Sequence, residues 1–285
     1  MCFSLVIVCT DNYAVIVDTS RTWRNYRHAA NAVNIYKEVR RLGIPDSNII
    51  LLLGDDADCD SKNSYTARLS TDIPIDAKCR AVDLARFVHI LVTGQGSSGP
   101  KLQSHSGSNV LLYITGHGGV DFINFLGKNE FSNQMLADMV DEMWLRKRYR
   151  NLLVIIDSCK AATMFKHIRS PNFIGVSSSN DTEDGISDRL NLEHGFHQGD
   201  RFSYALAKFL RGLNRQTTKT LNSVFQVCSF KQCMSTITVW SNLDKNSVKN
   251  SMEIAKRMPL LDFFGSRTTS LKKHVSKMLK EITFM

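Results

Sequence analysis

The sequence predicts an α/β fold with a mostly parallel central sheet, and two stretches carry that prediction. Val110-Leu111-Leu112-Tyr113-Ile114-Thr115 and Leu152-Leu153-Val154-Ile155-Ile156 are short apolar runs, partly β-branched, as buried strands are. Each ends in punctuation, Gly116-His117-Gly118-Gly119 after the first and Asp157-Ser158-Cys159 after the second. Between them Leu136, Met139/Val140 and Met143/Trp144 recur at helical spacing behind Ser132, a suitable N-cap. A strand, a helix and a strand of this combined length make a crossover, so the two strands should run parallel. At 285 residues and 43% hydrophobic composition, the chain can bury a sizeable core as one domain.

The other elements follow in order. Residues 1–12 form a short apolar N-terminus without the basic start of a secretory signal, and too short for a full h-region with a cleavage site. Tyr13 to Val17 reads as the first strand and Arg27 to Leu42 as an amphipathic helix (Ala29, Val33, Tyr36, Val39) stopped by Gly43 and Pro45. Ile49 to Leu53 reads as a second buried strand, Ala81 to Leu91 as a helix, and Thr93 to Pro100 as a glycine- and serine-rich loop. After Cys159 come a short helix, a strand over Phe173 to Ser177, and a polar loop over Ser178 to Asp200 expected to wall a cleft. Ser203 to Leu213 and Leu221 to Cys228 look helical, and Met234 to Trp240 alternates as a strand does. Residues 267–285 are a basic tail whose apolar stripe (Leu271, Val275, Met278/Leu279, Ile282) suits an anionic membrane, a partner, or the domain's own surface.

Parallel sheets bind ligands beyond the carboxyl ends of their strands. His117 and Cys159 fall at that edge together. A cysteine attacks as thiolate and needs a base beside it; an imidazole titrates near neutrality and can return the proton to a leaving amine. Glycines after the histidine let a substrate backbone approach and free N–H groups for an oxyanion. Singly, the cysteine reads as a buried small hydrophobe and the histidine as a satisfied polar residue. Together, on adjacent strand ends, they point to nucleophilic catalysis.

No metal or organic cofactor is indicated. The carboxylate-rich Gly54 to Asp60 lacks EF-hand spacing, Glu193-His194 with His197 does not match H-E-x-x-H, and neither a Walker pattern nor a G-x-S-x-G elbow is present. The net charge of +9, from 36 basic and 27 acidic residues, fits an acidic partner or membrane surface, or simply a solvated basic exterior.

Tyr113-Ile114-Thr115-Gly116-His117-Gly118-Gly119 and Ile156-Asp157-Ser158-Cys159-Lys160-Ala161-Ala162 resemble the His and Cys motifs of the glycosylphosphatidylinositol (GPI) transamidase catalytic subunits. These are relatives of the legumain endopeptidases and, further off, of caspases. Val17 to Arg21, Asn25-Tyr26-Arg27-His28, Arg41 to Ser47 and Asp262 to Ser266 match in the same order. The resemblance implies a caspase/legumain-like three-layer α/β/α catalytic domain over residues 13–266. It implies His117 and Cys159 as the catalytic pair, Asn25 orienting the histidine, and Gly118 giving its N–H to the oxyanion. Arg27, Asp157 and Asp200 would line the substrate pocket, with an Asp200–Arg201 ion pair as the rival reading for Asp200. Cys59 matches a cysteine linked by disulfide to a partner subunit; a free thiol is the alternative, and seven cysteines leave one unpaired.

Gly185 stands where relatives commonly carry a serine, and Lys160 where an uncharged polar residue is usual. The implied reaction is attack by Cys159 on a proprotein's C-terminal GPI signal, then transfer of the thioester to the ethanolamine amine of a GPI lipid. The implied partners are the other transamidase subunits, the proprotein and the lipid, with no nucleic acid. The implied setting is the endoplasmic reticulum lumen, with attachment to its membrane through partner subunits, since no run reaches the roughly 18 apolar residues of a span. The dyad would serve equally in an endopeptidase hydrolysing after a small polar residue. A non-catalytic scaffold would have no reason to keep both residues.

Overall fold

The computed structural model describes residues 11–54, 83–96, 101–191 and 196–267. The apolar N-terminus, Cys59, the end of the loop before the catalytic strand, Glu193, His194 and the basic tail lie outside the described residues.

A six-stranded sheet forms the centre. Its strands are β1 (Asn12–Asp18), β2 (Ile49–Leu52), β3 (Asn109–Thr115), β7 (Asn151–Asp157), β8 (Phe173–Ser177) and β11 (Thr238–Asn242). They lie in the order β11-β8-β7-β3-β1-β2. All neighbours run parallel except β11, which is antiparallel to β8. Both faces are covered, so the parallel strands read as nearly unbroken apolar runs rather than alternating ones. Residues of alternating parity still serve two cores. Val110, Leu112, Ile114, Leu152, Val154 and Ile156 pack on one side, with α2 (Leu84–Thr93) and α3 (Asn133–Leu145). Leu111, Tyr113, Leu153 and Ile155 pack on the other, with α1 (Tyr26–Arg41), α4 (Arg201–Arg211) and α8 (Leu261–Phe264). Helix, sheet and helix thus form the expected three layers. Among the described residues no helix is long and apolar enough to cross a membrane.

Ser132 caps α3 by accepting from the Met135 N–H at 3.2 Å, as its position before the apolar stripe predicts. Gly43 ends α1 with φ +108, a backbone state that a side chain would strain.

The structure departs from the sequence reading in five places. The β3–β7 crossover contains more than a helix: β4 (Gly118–Gly119), β5 (Phe122–Phe125) and β6 (Asn129–Ser132) form a small antiparallel sheet before α3. The polar stretch after Ser177 folds partly into a hairpin of β9 (Ser187–Asn191) and β10 (Phe196–Asp200). The helix expected over Leu221 to Cys228 is a single turn, α5 (Asn222–Phe225); a second turn, α6 (Phe230–Cys233), follows, and a Cys228–Cys233 disulfide ties its end to the segment between them. The last strand begins at Thr238, because Met234 takes a left-handed conformation that ends α6. An unexpected helix, α7 (Val248–Arg257), follows, capped by Ser247.

Candidate active site

The pairing of β3 with β7 places Thr115 opposite Asp157, so His117 and Cys159 each lie two residues beyond a paired position. The Gly116 N–H donates to the Asp157 carbonyl at 3.2 Å and carries the pairing one step further. The chain order in the sheet reverses one strand over, between β1 and β3 on the His117 side: β1 leads to β2 in one direction, while β3, β7 and β8 grow in the other. Such a switch point opens the crevice in which α/β proteins bind ligands.

His117 is held by a residue far away in sequence. Asn25 donates from Nδ2 to the Arg21 carbonyl at 2.6 Å, which turns its Oδ1 toward His117 Nε2 at 2.8 Å. An amide oxygen only accepts, so Nε2 carries the proton and Nδ1 keeps the lone pair a base needs. Asn25 occupies the N-cap position of α1 but makes no capping bond, so its side chain is committed to the histidine instead. His28 packs edge-on against His117 with ring centroids 4.9 Å apart. Its Nδ1 lies 2.7 Å from the Ser20 hydroxyl. Burial, followed by the Arg27 charge, holds its pKa well below the usual imidazole range, so His28 is a neutral wall.

The thiol rests protonated. Burial pushes the Cys159 pKa up; the Gly185 backbone and the Lys160 charge pull it down, while the negative Asp184 nearby opposes ionisation. Burial, then Arg27, lowers the His117 pKa. Shifts of those signs disfavour a resting thiolate–imidazolium pair, so proton transfer belongs to the attack itself. The turn after Cys159 is fixed by the Lys160 N–H donating to Glu183 O at 2.8 Å and by the left-handed Lys160, φ +53. Glu183 accepts in turn from the Thr236 N–H at 2.6 Å.

Gly118 pairs with Ile123, and the ladder bond beside them runs from the Asn124 N–H to the His117 carbonyl. Gly118 is therefore in a non-hydrogen-bonded pair, with its own N–H outside the ladder. A Cβ on Gly118 would come within 2.5 Å of Ser158 Oγ and 2.8 Å of the Phe122 carbonyl, so this position requires glycine. Ser158 Oγ is buried there without a partner.

Beneath the edge lies a buried acid network. Asp200 accepts from Arg27 Nε at 3.1 Å and from Asn31 Nδ2 at 2.6 Å. The rival pairing does not form: Arg201 reaches Asp188 at 3.8 Å and the Gln232 carbonyl. Asp157 accepts from Ser203, which also bonds Tyr113. Burial, then repulsion from Asp157, pushes the Asp200 pKa up to about 7 against the Arg27 attraction. Burial likewise raises Asp157.

The structure thus brings Asn25 to His117 and Arg27 to Asp200, and sets Asp157 below the nucleophile turn. Sequence reading gave no role to His28, Asn31 or Asp184. His28 stood in a matched motif and offered a signal. Asn31 and Asp184 offered none, because their partners lie 169 and 24 residues away. Among the described residues no group of side chains suits a metal ion.

The backbone resembles caspase-1 from Spodoptera frugiperda, with a TM-score of 0.51, 11% identity, and coverage of 91% of this chain and 92% of that one. By fold, therefore, this is a caspase-like protein. A family profile described as Peptidase C13 family matches residues 12–254. A putative GPI-anchor transamidase of Drosophila melanogaster is 37% identical over 90% of this chain and 74% of its own length. The GPI-anchor transamidase of Homo sapiens is 37% identical, with 90% and 67% covered, and that of Saccharomyces cerevisiae is 36% identical, with 83% and 61% covered. The chain belongs to the Peptidase C13 family, and it is a cysteine peptidase-like enzyme.

Proposed function

We propose that this chain is the catalytic subunit of a GPI transamidase. The observation that carries the reading is the in-register placement of His117 and Cys159 beyond β3 and β7, in a chain 37% identical to GPI-anchor transamidases over nine-tenths of its length. Cys159 attacks the carbonyl at the attachment site of a proprotein's C-terminal signal. His117, oriented by Asn25, takes the thiol proton and passes it to the departing amine. The Gly118 and Cys159 N–H groups receive the oxyanion, where fixed donors stabilise developing charge. Arg27, braced by Asp200 and with Asp157 beneath, forms the polar floor of the substrate pocket. The thioester then passes to the ethanolamine amine of a GPI lipid.

The partners are the other subunits of the transamidase, joined through Cys59. The setting is the lumenal face of the endoplasmic reticulum membrane. The Cys228–Cys233 disulfide supports an oxidising compartment. Complementation tests the whole reading. In cells lacking the endogenous subunit, with protein directed to the lumen, wild type should restore GPI-anchored protein at the surface, while Cys159→Ala and His117→Ala should not. Rescue by Cys159→Ala would refute it. A short peptide hydrolysed by this chain alone, without partner subunits, would favour the endopeptidase instead.

A further inference from the structure

We propose that Lys160 and Asp184 form the acceptor subsite of the reaction, taking the phosphoethanolamine head of the lipid with its phosphate on Lys160 and its ammonium on Asp184. The inference rests on the transamidase reading and names the residues that receive the acceptor in this chain.

The two side chains form an ion pair, Lys160 Nζ to Asp184 Oδ1 at 2.6 Å, on the lip of the cleft one residue beyond the nucleophile. They are 30% and 61% exposed, open to a ligand, whereas Asp157 and Asp200 are buried and already engaged. An exposed ion pair is weak and exchanges readily for a ligand of matching charges. Phosphoethanolamine is such a ligand, with an anion and an ammonium separated by two carbon atoms. The Lys160 backbone is pinned to Glu183 and left-handed, so its ammonium projects from a fixed turn.

Position relative to the nucleophile supplies the second argument. Asp184 precedes Gly185, where an added Cβ would stand 3.2 Å from the Ser158 carbonyl and 3.6 Å from the Cys159 backbone nitrogen. The Lys160 N–H donates to the Glu183 carbonyl on the other side of Asp184. The segment carrying Asp184 therefore lies against the nucleophile turn, and an ammonium held on its carboxylate is delivered to the site from that side.

The transfer balances. The bound ammonium gives one proton to the Asp184 carboxylate, and its nitrogen lone pair attacks the thioester carbon. The C–N bond forms, His117 takes the second nitrogen proton, and the C–S bond breaks with its electron pair on sulfur. His117 then protonates the thiolate, and Asp184 releases its proton to water. The products are an amide, a free Cys159 thiol and one proton.

The test uses membranes of subunit-deficient cells carrying the full chain and a proprotein reporter. Hydroxylamine, uncharged near neutral pH, captures the thioester without needing either charge. The reading is the ratio of amine product to hydroxylamine product, for the native lipid, soluble glycerophosphoethanolamine and ethanolamine. Because both products come from one thioester, a general folding defect cancels. Wild type should prefer glycerophosphoethanolamine to ethanolamine. Lys160→Met should lower the phosphoethanolamine ratio about tenfold or more, as loss of a charge-assisted bond does, and abolish that preference; Lys160→Arg should restore it. Asp184→Asn should lower the ratio for every amine. Unchanged ratios, or hydroxylamine product falling in proportion, would overturn the assignment. So would a Lys160 effect confined to the native lipid, since recognition would then lie outside the head group. Wild-type protein that yields hydroxylamine product but no amine product of any kind would instead remove the transamidase reading.

Discussion

Removing the Asn25 side chain tests the arrangement of the dyad most directly. Its Oδ1 lies 2.8 Å from His117 Nε2 and is aimed there by the Nδ2 bond to Arg21. In Asn25→Ala the imidazole loses both its orientation and its tautomer, as well as an acceptor for the charge that grows on it during attack. A hydrogen bond to a group that becomes charged contributes about 1.5–3 kcal/mol. At 1.36 kcal/mol per decade this is roughly a 10- to 150-fold loss of rate. The assay is the initial rate of hydroxylamine capture of a reporter proprotein near pH 7.5, with concentration varied to separate kcat from KM. The loss should fall on kcat, because Asn25 acts through His117 and not on the substrate. Asn25→Asp adds a control on pH. A carboxylate at the same distance favours the imidazolium and raises the His117 pKa, so the rise of rate with pH should move to higher pH. A drop under about threefold, a drop confined to KM, or an unshifted profile in Asn25→Asp would refute the orienting role.

Two further outcomes concern stability. Asp200 has a pKa of about 7 against an ordinary 3.8, so between those values the folded protein holds a proton the unfolded chain has released. Its contribution therefore falls as pH rises through that window, and Arg27 limits the loss. Arg27→Met should cost roughly 3 kcal/mol near pH 8, as breaking a buried pair does, and much less near pH 5, where Asp200 is protonated either way; denaturant melts of both proteins at both pH values check this. The Cys228–Cys233 disulfide closes a short loop, with a sequence separation of 5. Replacing both cysteines by serine should cost about 2 kcal/mol, a fall in Tm of roughly 5 °C for a chain of this size, measurable by calorimetry with and without reductant.

The sequence by itself determined the strand–helix–strand frame and the edge on which His117 and Cys159 meet. Those signals are local: a buried parallel strand declares itself by its own apolar run, and the residue that ends it is its neighbour in the chain. The small sheet after His117 was not legible, because Gly118-Gly119 and Asn129-Glu130 have no strand preference of their own and are held by pairing. The partners of the charged side chains were decided only by tertiary structure. Asp200 had Arg201 beside it in sequence yet bonds Arg27, 173 residues away, because β10 packs against α1 while Arg201 turns to Asp188 on β9. Asn25 had the position and chemistry of a helix cap and serves His117, because the end of β3 meets the start of α1. Lys160 and Asp184 meet because the loop before β9 folds back over the nucleophile turn. Periodicity records which face of an element is buried. It does not record which distant element covers that face, and a charge takes its partner from there.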